Sequence, residues 1–172
     1  MDPSPVRDGE RPYASLGRRE QIARLRDLAR AALVDYGVGD ARLTLLRHEH
    51  NTTFRVNGGE ATSVLRINRP GVHTPATIAS EMAWLQALRR DTGLGVPEPV
   101  AARGGALAVL AHAPGMPGPR VCVLVRHQPG RFVDERLTAA NLRSVARLMR
   151  ACRSTAPAGR GRRPSSGRGS TR

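Results

Sequence analysis

Two side chains of opposite charge stand fifteen residues apart where a strand gives way to a helix: Arg66, within Val64-Leu65-Arg66-Ile67, and Glu81. A guanidinium binds phosphate or carboxylate through parallel N–H donors, so an arginine held by a carboxylate is a candidate phosphate-binding cation. Glu81 lies three residues past Ile78 and one short of Met82, beside an apolar helical stripe rather than opposite it. That is where a half-buried ion-pair partner belongs. The plain alternatives are a solvated strand arginine and a surface helix carboxylate. Upstream, Glu49-His50-Asn51-Thr52-Thr53 is a polar turn whose backbone amides and threonine hydroxyls suit phosphate oxygens, or an ordinary hairpin connection. His48 and His50 share a strand edge with no third ligand at metal spacing, and read as a surface pair. No Ser/His/Asp arrangement, GxSxG elbow, Walker A loop or Rossmann fingerprint is present.

The elements that must position these residues follow from periodicity. Arg18 to Tyr36 carries Ile22, Leu25, Ala29, Ala32 and Leu33 on one helical face, and Gly37 stops it. Arg42–His48 and Thr52–Asn57 are strand-like, and Gly58-Gly59 turns into a third strand over Ala61–Asn68. Thr74 caps a helix that opens on Pro75, carries Ile78, Met82, Leu85 and Leu88 as its stripe, and stops at Gly93. Val96-Pro97-Glu98-Pro99-Val100 is extended and rigid, because each proline forces the residue before it out of helix. Ala106–Ala111 and Arg120–His127 form a second hairpin. Thr138 caps a last helix bearing Leu142, Val145, Leu148, Met149 and Cys152, and from Arg153 the periodicity is lost.

Charge is distributed unevenly. Every acid lies at or before Glu135, fourteen of them against eighteen arginines; the thirty-seven residues that follow hold ten arginines and no acid. All the basic side chains are arginine. Met1–Gly17 reads as a disordered leader, residues 18–152 as one folded lobe ending in the start of a linker helix, and 153–172 as a disordered, arginine-rich tail. No run approaches the ~18 apolar residues a membrane span requires. Cys122 and Cys152, thirty residues apart, fit reduced thiols, so a cytoplasmic setting without membrane contact is expected.

In order, these pieces resemble the N-terminal lobe of the aminoglycoside phosphotransferase (choline/homoserine kinase-like) enzymes. The resemblance runs from about Leu43 to Met149, on RHEHNTTFRV, SVLRINRPGVHTPATIASEMAWLQAL, TGLGVPEPV and VCVLVRHQPGRF. It implies an α+β, protein-kinase-like small lobe: an antiparallel five-stranded sheet with a helix after strand 3. One helix precedes it, and a truncated helix and disordered tail follow. It implies transfer of the γ-phosphoryl group of ATP, with Mg2+, to a hydroxyl of a small molecule or protein. By position, Asn51, Thr52 and Thr53 would form the nucleotide-facing turn, Val64 would line the adenine pocket, and Arg66 would meet phosphate with Glu81 as its partner. Leu124, Val125, Arg126 and His127 would be the hinge whose backbone meets the adenine edge. The family's His-Gly-Asp-x-x-x-x-Asn loop and its later metal-binding Asp have no counterpart in the sequence, so no catalytic or metal-binding residue is assigned. The expectation is a lobe inactive by itself, with weak or absent ATP binding and a tail read out of frame. The other readings are a pseudo-kinase lobe that docks on a protein, and a basic protein contacting nucleic acid nonspecifically through its tail.

Overall fold

The computed structural model describes residues 11–59, 61–129 and 138–155. They divide into two units, a lobe on the N-terminal side of Val133 and a helical segment on the other, each described by itself. The lobe opens with a 3-10 turn, Tyr13–Ser15, and helix α1 (Arg18–Asp35). Strands β1 (Arg42–His48), β2 (Thr52–Asn57) and β3 (Ser63–Ile67) follow, then α2 (Pro75–Thr92), β4 (Pro99–Val100), β5 (Val109–Ala111) and β6 (Arg120–Arg126). The second unit contributes α3 (Ala139–Thr155).

All strands among the described residues join one antiparallel sheet in the order β1-β2-β3-β6-β4, with β5 also paired to β6. The fold is therefore the kinase-like small lobe expected. The sheet carries one strand more than the expected five, because the tail of the rigid Val96–Val100 segment pairs with Leu124 and Val125. Pro99 has no amide to donate, which confines such a segment to a sheet edge.

Side-chain alternation gives the sheet two unlike faces. Phe54, Val56, Leu65, Ile67, Cys122 and Leu124 pack with Leu25, Leu28 and Leu33 of α1 into the main core. The other phase of β6 meets α2 in a smaller cluster built on Ile78, Met82 and Val123. The local signals at α2 act as read. The Thr74 hydroxyl accepts the Thr77 amide at 3.1 Å, and Gly93 takes φ +65° while donating to Arg89 at 2.9 Å. Gly58 has a packing role: a Cβ there would stand 2.7 Å from that of Ala41 and 2.9 Å from its Cα.

Two described segments run across the expected domain boundaries. Residues 11–17 belong to the folded lobe: Leu16 is buried, Tyr13 packs on the core, and the Gln21 side-chain amide donates to the carbonyls of both. α3 runs to Thr155 rather than losing its helix at Arg153, since the first helix breaker in that stretch is Pro157. The rest of the expected leader and tail, residues 1–10 and 156–172, lies outside the described residues.

Candidate functional site

Arg66 occupies the middle of β3, opposite Thr53 of β2 on one side and Val123 of β6 on the other. The pleat turns it toward the α2 face, where Glu81 waits one helical turn past Ile78. The pair closes as a fork: Nη1 donates to Oε1 at 2.9 Å and Nη2 to Oε2 at 2.8 Å. Both side chains are half-buried, so the pair is neither a free surface bridge nor a fully desolvated one. The Arg66 Nε proton is buried without a partner. An unsatisfied buried donor costs about 1–3 kcal/mol, which an acceptor seated against this arginine would offset.

Thr53 and Val64 share this face, Thr53 directly across from Arg66 and Val64 two residues before it in β3, paired with Val125. Four of the expected residues thus form one patch: a cation, its carboxylate, a hydroxyl and an apolar wall. Such a patch can hold a phosphate chain by charge and hydrogen bonding beside a flat apolar group.

The other expected residues stand elsewhere. Thr52 is buried on the α1 face, hydrogen-bonded to His48 Nδ1 at 2.8 Å, because neighbouring strand residues point to opposite sides. Asn51 stays in the turn, where its Oδ1 accepts the Arg69 amide at 3.0 Å and ties the turn to the β3–α2 connection. The Leu124 side chain is in the main core, and Arg126, in the same phase, lines a cavity of about 240 Å³ beside Tyr36. The amides of Arg126 and His127 already donate to the carbonyls of Glu98 (2.8 Å) and Thr62 (3.0 Å). Those two N–H groups are therefore engaged within the lobe rather than offered to an adenine edge.

Two polar residues with structural weight escape the sequence pattern. Asn68 is buried, giving its Nδ2 and its backbone amide to the Val121 carbonyl at 3.0 and 2.9 Å. Arg120 is buried at the start of β6, and burial holds its pKa below the ordinary arginine value. In the sequence Arg120 is simply the polar end of an apolar strand; in the fold it shares a cavity wall with Tyr13, Gln21 and Leu25, about a hundred residues away.

Among the described residues no three His, Cys, Asp or Glu side chains converge as metal ligands. The donors at Arg66 do fit an anionic group.

Sheet, inserted helix and strand-to-helix ion pair define a kinase-like small lobe. The chain belongs to the phosphotransferase enzyme family, whose model matches residues 42–168. An uncharacterized protein of Deinococcus radiodurans is 38% identical over 99 residues, 58% of this chain and 28% of that relative. The microcompartment-associated aminopropanol kinase superposes with a TM-score of 0.63 at 35% identity, covering 78% of this chain and 43% of the kinase. An amicoumacin kinase solved with AMP-PNP, Ca2+ and Ami gives a TM-score of 0.53 at 20% identity over 73% of this chain and 36% of its own, a likeness of fold. The chain thus spans less than half the length of each.

Proposed function

We propose that the lobe is the nucleotide-binding half of an ATP-dependent phosphotransferase that passes the γ-phosphoryl group to a hydroxyl acceptor. The observation that carries this reading is the two-point Arg66–Glu81 pair, set on a sheet face beside Thr53 and Val64 with one buried donor unsatisfied. The guanidinium would take the phosphate chain, Glu81 would hold it in register, and Val64 would carry the adenine. Likeness to an aminopropanol kinase supports a small hydroxyl-bearing acceptor rather than a protein.

What the lobe contributes is binding and orientation. A positioned general base contributes roughly 10²–10⁴-fold to a rate, and metal-borne charge stabilisation comes on top of that. Residues 136–172 hold no acid, and neither contribution is assigned to them. The 172 residues taken alone are accordingly read as binding nucleotide weakly, in the range of about 1 mM, without turning it over.

Titration of the full chain with AMP-PNP, followed by amide chemical shifts, tests the reading. Saturable shifts at Thr53, Val64 and Arg66 are expected, weakened about tenfold or more in Arg66→Gln. Shifts absent from this face, or unchanged by the substitution, would refute it.

A further inference from the structure

On the α1 face, across the sheet from Arg66, a cavity of about 360 Å³ opens between the Tyr13–Ser15 turn, α1 and the strand ends at His48, Thr52 and Ile67. Arg120 lines it and is 8% exposed. A guanidinium stays charged at any physiological pH, yet no carboxylate pairs with this one and no hydrogen bond from its side chain is formed among the described residues. Buried arginines are ordinarily paired, because an unpaired charge withdrawn from water is strongly unfavourable. Here the guanidinium nitrogens lack a protein partner among the described residues and reach solvent through the cavity they line.

The rest of the lining suits an anion. Arg69 brings a second cation and His48 and His50 bring imidazoles, while the Gln21 amide donors are held by the Tyr13 and Leu16 carbonyls. The one acid in the wall, Glu49, is engaged by Arg47 at 3.1 Å. The volume exceeds that of a bare tetrahedral ion and leaves room for a small organic group.

We propose that this cavity is a binding site for a phosphate-class oxyanion, free or as a small monoester, anchored by the Arg120 fork with Arg69 as the second cation. The site is separate from the nucleotide reading, since it lies on the other side of the sheet and uses none of the same side chains. It does share a backbone with that reading. Glu49 and His50 directly precede Asn51, and the Arg69 amide donates to the Asn51 side chain, so an anion seated here braces the β1–β2 turn from behind.

The test is thermal unfolding of the full chain in rising inorganic phosphate, against chloride at matched ionic strength. Phosphate is expected to raise Tm saturably in wild type and equally in Arg66→Gln. In Arg120→Met the apparent Kd should rise at least tenfold, while the variant in chloride is no less stable than wild type. Should Arg120→Met not fold, Arg120→Lys keeps the charge without the fork, and Arg69→Met alters an exposed side chain; each should weaken the phosphate response several-fold. An equal response in wild type and in these variants would overturn the proposal. So would loss of the response in Arg66→Gln alone, which assigns the anion to the opposite face, or a response to acetate and not to phosphate.

Discussion

Arg66 gives both terminal nitrogens to Glu81, which fixes the plane of its guanidinium; a lysine at the same place would offer a movable point charge. This pair was legible in the sequence because helix and strand periodicities each set one member's direction. Arg120 was not, because its neighbours are supplied by chain folding alone. Other buried groups of the main core set a pH limit. Burial pushes the Cys122 thiol from 9.0 up to about 12 and the Tyr36 phenol from 10.0 up to about 12. The unfolded chain then sheds these protons first, so the stability they carry is intact below pH 9 and is lost as pH rises toward 12. Tm followed against pH should fall across that window. Tyr36→Phe should flatten the upper part of the fall, even though losing the hydroxyl's bond to the Cys122 carbonyl costs about 1 kcal/mol. An unchanged profile in Tyr36→Phe would remove the phenol from this account.

At the scale of elements, turn and cap chemistry was readable where it is local. Thr74, Pro75 and Gly93 bound α2 as their residue types dictate, and the Gly58-Gly59 turn falls between β2 and β3. What Gly58 does there depends on Ala41, seventeen residues away, and no local signal reports it. Gly58→Ala places a methyl against the Ala41 backbone and should destabilise the lobe by about 1–3 kcal/mol, measured by urea unfolding. A change within a few tenths of a kcal/mol would mean that the turn yields freely. β4 was hidden because two residues carry no periodicity, and the engaged amides of Arg126 and His127 because main-chain partners leave no mark on side-chain pattern.

For the whole molecule, the uneven distribution of charge is the property that most affects handling. Ten arginines in the last thirty-seven residues, with no acid among them, should retain the chain on duplex DNA without sequence preference. Affinity should drop steeply with salt. A chain ending at Thr155 loses five of those arginines, and the slope of log affinity on log salt should become shallower by as much as about 4.5, at ~0.9 for each phosphate no longer neutralised. Retention that ignores salt, or survives the shortening undiminished, would show that DNA is held by another part of the chain. The same composition was plain in the sequence, whereas the division after the lobe was not, since the expected unit ran on to residue 152.

The sheet is clothed unequally: α1 rests on a broad apolar bed, while α2 is fastened by Ile78, Met82, Val123 and the fork between Arg66 and Glu81. Amide protons should therefore exchange with solvent on two clocks. Those of α2 would be released by a local opening well short of global unfolding, and those of α1 and the central strands only when the whole lobe comes apart. An anion that grips Arg66 would slow the first clock and leave the second nearly unchanged, so ligand binding here would be read more sharply from the tempo of one helix than from the melting of the whole.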